Sequence, residues 1–188
     1  MKIRQLLTSL SFLTVLTAAT SLAAAQQAPP MPKPGPEHEH LKLDVGSWDA
    51  VVEASQGPGA PPATSKGVEV NTLGCGGLCL ISDFKGELMP GTPFHGHGVT
   101  TWDVVKKKYI GSWTDSMSQG LLIGESTWDA ASKKATGTME GPDMTGQVVK
   151  MRSVVEYQNE TSRVMTAYAQ GPDGKEMQVL KITYTKQK

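Results

Sequence analysis

The chain has 188 residues, with 18 Lys and Arg against 18 Asp and Glu for a formal net charge of zero. The basic residues are scattered, so there is no concentrated positive footprint of the kind a phosphate backbone requires, and nucleic acid is excluded as a partner. The length suits one domain with a full core.

Residues 1–25 place Lys2 and Arg4 ahead of an apolar stretch from Leu6 to Leu22 and end in Ala23 to Ala25. This is the pattern of a secretory signal peptide with an A-x-A cleavage site. It predicts a periplasmic or secreted protein with no membrane span after cleavage and, since no Cys stands at the site, no lipid anchor. Removal of the leader leaves 16 basic against 18 acidic residues. Residues 26–36, QQAPPMPKPGP, hold five prolines and little that can pack, which predicts an extended, disordered tether. The folded domain is then 37–188, opening with a short helical turn at Glu37 to Asp44.

From there the chain is punctuated by Gly, Pro, Asp and Asn clusters such as GPGAPP, MPGTP, GPDMTG, QNET and GPDGK. Between them lie candidate strands near 46–54, 66–75, 78–87, 94–103, 108–115, 121–129, 134–141, 147–157, 162–170 and 176–186. About ten strands at short spacing, with no long helical period, argue an all-β meander. Closure removes exposed edges, so a single up-and-down antiparallel β-barrel is favoured over a sandwich.

Cys75 and Cys79 frame CGGLC. In an oxidising compartment an even cysteine count favours a disulfide, yet residues four apart in extended chain lie roughly 13 Å apart, too far to bridge. A three-residue turn at Gly76-Gly77-Leu78 sets the cysteines opposite each other. A two-residue turn at Gly76-Gly77 pairs Cys75 with Leu78 and sends Cys79 to the other face, leaving two small apolar thiols.

The stretches GVTTWDVVKKKYIGSW (98–113) and GESTWDAASKKATGTM (124–139) repeat at an offset of 26: Trp102 matches Trp128, Asp103 Asp129, Lys107 Lys133 and Gly111 Gly137. Each copy reads as one hairpin. With a four-residue turn at Val104 to Lys107, Asp103 faces Lys108, Trp102 faces Tyr109 and Gly98 faces Trp113. Aromatics and glycines then share the inner face, and charges share the outer one. His95 and His97 of FHGHG have the parity of Thr101 and Asp103, which predicts that they point outward into solvent. His38 and His40 form a second His-x-His pair. Joined, the two pairs make an alternative metal-binding module, but a closed site needs three or four ligands brought together by tertiary contact.

No paired carboxylates at a recognisable spacing, no G-x-S-x-G and no H-E-x-x-H occur, so no catalytic residue or cofactor is assigned. Asn159-Glu160-Thr161 is read as a plain turn. The inward set of Phe84, Trp102, Tyr109, Trp113, Trp128, Met139 and Met151 is the candidate contact surface for a small apolar or amphipathic ligand. The alternative is a filled barrel that acts through its outer surface on another protein. Trp48 is assigned a structural role, as are Cys75 and Cys79.

Gly46-Ser47-Trp48, opening the first strand after a short turn, resembles the G-x-W start of lipocalin-like (calycin) barrels, in which the Trp plugs the closed end. PKPGPEH (32–38), VGSWDA (45–50), SDFKGE (82–87), KKKYIGSWTDSMS (106–118), GPDGKE (171–176) and ITYTK (182–186) together resemble an exported bacterial family, domain of unknown function 1579. The resemblance implies a lipocalin-like barrel and brings no activity or catalytic residue with it. The chain departs from the family pattern at Cys75, Cys79, His95 and His97. It also departs at Lys186, where the resemblance implies an Arg against Trp48.

Overall fold

The computed structural model describes residues 30–57, 59–171 and 173–188. The expected leader and the first residues of the tether, 26–29, lie outside the described residues. A single 3-10 turn, Pro36–His38, runs into a one-turn helix, α1, Glu39–Lys42. Ten strands follow: β1 Gly46–Ala54, β2 Ala63–Gly74, β3 Cys79–Met89, β4 Thr92–Asp103, β5 Lys108–Asp115, β6 Leu122–Asp129, β7 Lys134–Pro142, β8 Val148–Asn159, β9 Ser162–Gln170 and β10 Glu176–Lys186. Each pairs antiparallel with its chain neighbours, and β10 returns to pair with β1, so the sheet closes as an up-and-down barrel. No helix among the described residues is long and apolar enough to cross a membrane.

The repeat is two superposable hairpins. Asp103 pairs with Lys108, Trp102 with Tyr109 and Gly98 with Trp113, while in the second copy Asp129 pairs with Lys134 and Trp128 with Ala135. Each turn is held by its aspartate: Asp103 Oδ1 accepts the N–H groups of Val105 and Lys106 at 2.8 Å, and Asp129 Oδ1 accepts that of Ala131 at 3.0 Å. The equivalent lysines, Lys107 and Lys133, both take the left-handed conformation at φ 53° and 54°, which lets a four-residue turn rejoin the ladder.

The cysteine turn is longer than both expected versions, by one residue and by two. Gly74 pairs with Cys79, so Cys75 to Leu78 make a four-residue loop with Cys75 itself in the left-handed region at φ 54°. That bend brings the two Cα atoms to 5.6 Å, and a disulfide joins them.

One end of the barrel is covered by the Pro36–Lys42 segment. Leu41, 1% exposed, sits on Leu80 and Tyr109, with Val45, Trp102 and Trp128 around it. Along the axis a second cluster joins Trp48, Ala50, Val52, Phe84, Ile182 and Tyr184. Inward glycines let rings lie along the wall: a Cβ on Gly96 would stand 2.1 Å from Trp113 Cζ2, and one on Gly98 2.8 Å from Cε3. Gly96→Ala is therefore expected to tilt Trp113 into the lumen and to destabilise the barrel by about 1–3 kcal/mol through overpacking. Urea melts and the near-ultraviolet signal of Trp113 measure this, with Gly111→Ala, whose Cβ meets nothing closer than 3.5 Å, as the silent control.

Candidate functional site

Strand alternation aims two different surfaces into the barrel. On β1 the inward residues Trp48, Ala50, Val52 and Ala54 are all buried, and with Phe84, Ile182 and Tyr184 they fill that side. On β5 to β8 the inward positions are mostly small or flexible: Gly111, Gly124, Ser126, Gly137, Met139, Met151 and Ser153. All of these stay only half-buried, although their backbones are fully paired inside the wall. Trp113 lies flat over Gly96 and Gly98, its Nε1 donating to Asp115 Oδ2 at 3.0 Å. The interior is thus densely packed on the β10–β1–β3 side, while these inward positions of β5–β8 carry small or flexible side chains, none of them fully buried.

The seven inward residues singled out from the sequence divide along this boundary. Phe84 is 4% exposed and belongs to the packed cluster, with Phe94 edge-on at 5.8 Å. Tyr109 is 4% exposed and seals the covered end, donating its hydroxyl to the Glu37 carbonyl at 2.6 Å. Trp102 packs edge-on to Tyr109 at 5.0 Å, and Trp128 stacks on His40 at 4.2 Å. Trp113 is half-buried and packs against the edge of the same cluster as Phe84, while Met139 and Met151 line the β5–β8 side as direct cross-strand partners. Met165, paired with Val155, is a further half-buried methionine, on β9.

The covered end is built on charge. Arg163 of β9 is 6% exposed; its guanidinium bridges the carboxylates of Asp44 and Glu69 and lies over the rings of Trp48 at 4.6 Å and Tyr184 at 4.3 Å. Tyr184 donates to Glu69 Oε2 at 2.9 Å, Asn71 Nδ2 donates to Glu69 Oε1 at 2.8 Å, and Tyr157 donates to Asp44 Oδ2 at 2.8 Å. Trp48 Nε1 donates to the Asp44 carbonyl at 2.7 Å. Burial raises the Asp44 carboxyl above its ordinary range even though Arg163 and Tyr157 oppose it. Burial also works against the charge on Arg163, but the two carboxylates more than compensate and hold it protonated. Lys186 does reach the Trp48 ring, at 5.1 Å, yet the flat guanidinium implied for that position comes instead from Arg163.

The histidine pairs stand on separate surfaces. His95 and His97 are exposed on the outer face of β4, as their parity predicted, and His97 Nδ1 lies 2.7 Å from Asp83 Oδ1. His38 is buried in the covering segment, where its Nδ1 accepts the Gly35 N–H at 3.0 Å. His40 is held among Trp128, Tyr109 and Tyr157, and burial, with Arg163 adding to it, lowers its pKa to about 4. Among the described residues no three His, Cys, Asp or Glu side chains converge as a metal site.

Sequence reasoning missed Asp44, Glu69, Asn71, Arg163 and Tyr184. The available signal was charge on inward parity: Glu69 shares its face with Ser65, Gly67 and Asn71, and Arg163 shares its face with Met165 and Ala167.

The sequence profile described as "Protein of unknown function (DUF1579)" matches residues 33–186. No curated protein matches the chain. Among solved structures, the crystal structure of Rv2717c from M. tuberculosis aligns with a TM-score of 0.62 at 11% identity, covering 82% of this chain and 99% of that one. That likeness shows a shared barrel fold. A redesigned beta barrel, mFAP1, bound to DFHBI, aligns at a TM-score of 0.43 and 16% identity, over 78% of this chain and 98% of the other.

Arg163→Met leaves two buried carboxylates unpaired and is expected to destabilise the barrel by about 3–5 kcal/mol in urea melts. Adding Asp44→Asn and Glu69→Gln should restore part of that loss. His40 supplies a pH test. Its folded pKa lies below the unfolded value of 6.5, so the unfolded chain takes the proton first and stability falls as pH drops from 6.5 to about 4. The size is about 3 kcal/mol at 1.4 kcal/mol per unit. Asp44 acts in the opposite sense, so the readout is the stability of wild type minus that of His40→Phe, which is expected to fall as pH drops from 6.5 to about 4 and to stay level below that; a difference independent of pH would show that His40 is not a buried neutral base.

Proposed function

The chain belongs to the DUF1579 family of proteins of unknown function, and we propose that it is an exported carrier whose lumen binds a small apolar or amphipathic molecule without chemical conversion. The observation that carries this reading is the uneven interior. On the β10–β1 side large buried side chains fill the interior, whereas on the β5–β8 side the wall is lined by Gly, Ser and Met, none of them fully buried. Small residues leave volume, and methionines adapt to a ligand of irregular shape. Met139 and Met151 are the contact residues in this reading, with Trp113 and Met165 at the edge of the packed cluster and Trp102 towards the covered end. Phe84, Tyr109 and Trp48 serve as the floor and packed side.

Entry is from the end opposite the helix, where β1 is joined to β2, β5 to β6 and β7 to β8 and where no segment among the described residues lies across the mouth. Export is supported by the leader pattern at 1–25 and by the disulfide, which forms and persists in oxidising compartments.

Gly111 faces the lumen opposite Gly124, and a side chain grown there meets only Thr100 Oγ1, at 3.5 Å, and Val99 O, at 3.9 Å. Gly111→Phe is expected to fill the open half without moving the backbone. The neutral fluorescent probe phenylnaphthylamine should bind the wild type and lose about tenfold or more in affinity in this variant, at an unchanged melting temperature. Equal probe binding by both proteins would remove the lumen as the site.

A further inference from the structure

We propose that a second, separate site on the outside of the covered end binds a small aromatic or amphipathic organic anion, with its apolar body on Trp128 and Tyr157 and its carboxylate, sulfonate or phosphate group between Lys133 and Lys186. The site is a groove of about 590 Å³ between α1, the β6–β7 turn, the β8–β9 turn and the end of β10. Its floor includes Trp128, Tyr157 and Leu43, and its rim carries Lys42, Lys133, Lys186 and a single acid, Glu160.

Three features make this a formed site rather than a crease between loops. First, the aromatic floor is fixed. Trp128 stacks on His40 with ring planes 14° apart, its edge meets Tyr157 at 5.3 Å, and the Tyr157 hydroxyl is tied to Asp44. Such rings offer a flat apolar surface with little ordering entropy left to lose. Second, the rim charge is available. Lys134 is paired with Glu156 and Lys42 with Glu39, whereas neither Lys133 nor Lys186 has a carboxylate partner among the described residues. Third, Lys133 is held in place: its carbonyl accepts the Tyr157 N–H at 3.0 Å, and its left-handed backbone fixes the turn against β8.

The groove therefore combines a rigid apolar floor with two unneutralised cations, which is the complement of an anion with a flat hydrophobic body. His40 beneath Trp128 remains neutral at physiological pH and adds no charge of its own. The repeat provides an internal contrast, because Lys107, the counterpart of Lys133, is not part of the groove.

The test is isothermal titration of the purified protein with naphthalenesulfonate and with its neutral isostere, naphthalenesulfonamide. Binding of the sulfonate, with at least about tenfold weaker binding of the sulfonamide and a marked loss between about 0.05 and about 0.5 M salt, is expected. Asn tolerates the left-handed backbone that Lys133 adopts, so Lys133→Asn should keep the turn while weakening the sulfonate about three- to tenfold; Lys186→Gln provides an independent second variant. Gly111→Phe should leave sulfonate binding unchanged, which separates this site from the lumen whether or not the lumen reading holds. Sulfonate affinity that is indifferent to both lysines, or is abolished by Gly111→Phe, would overturn the proposal. So would retention on phosphatidylglycerol vesicles with no binding of the soluble sulfonate, which would assign the lysines to a lipid surface.

Discussion

The barrel depends on one buried cation. Arg163 is the point at which β9, β2 and the segment before β1 are tied together, since Glu69 and Asp44 sit on its two nitrogens while Trp48 and Tyr184 lie under its faces. An up-and-down barrel must join its first and last strands, and here those strands, β1 and β10, contribute the two rings over which the guanidinium lies. Two carboxylates against one guanidinium leave an excess negative charge in an apolar place. It is tolerated because Tyr157, Tyr184 and Asn71 donate further hydrogen bonds to those oxygens. Replacing this network by well-packed apolar groups would not necessarily weaken the fold. Its specific effect is to determine which segment covers the end: Asp44 reaches Arg163 only when residues 36–44 lie across the mouth.

That covering segment explains why three residues of the aromatic set are not equivalent to the rest. Tyr109, Trp102 and Trp128 come from the two repeated hairpins, but at the covered end they meet Leu41 and His40 and become a seal. The same hairpins one turn further along the axis present Gly111, Gly124 and Gly137 to the interior. A repeated sequence has thus been used for two physical tasks, with large rings where a segment must be held and no side chain where volume is left. Phe84 departs for a different reason: Gly67, diagonal to it on β2, has no side chain, and the ring occupies that space, placing Phe84 Cζ 2.3 Å from where a Cβ would be.

Much of this was legible in the sequence because period-two alternation and turn chemistry are local. The turn at Val104 to Lys107, the pairing of Trp102 with Tyr109 and the outward His95 and His97 all follow from one repeat whose aspartates cap their own turns. The strand ends near Met89 and Thr92 were harder, since the chain there continues pairing through a bulge between Glu87 and Met89. The Arg163 cluster was not legible as a site. Its members come from Asp44, Glu69, Asn71, Arg163 and Tyr184, separated by up to about 140 positions, and each alone reads as an ordinary polar residue on a strand or turn. Only closure of the barrel makes them neighbours. The disulfide lay between these cases: the geometry demanded a turn, but whether it spanned two, three or four residues depended on Cys75 accepting a left-handed backbone.

The location of the two candidate sites follows from the same closure. Because residues 36–44 are fastened by Asp44, by the Tyr109 hydroxyl on Glu37 and by Leu41 in its apolar socket, the lumen and the outer groove lie on opposite sides of one seal. Trp128 and Tyr157 belong to both structures, each holding the seal with one surface and flooring the groove with another. A ligand in the groove would press on rings that also grip His40, so occupancy there would stiffen the covering segment rather than open it. The two sites are then coupled only through the rigidity of that seal, and a molecule in the lumen would leave by the uncovered end whether or not the groove is filled.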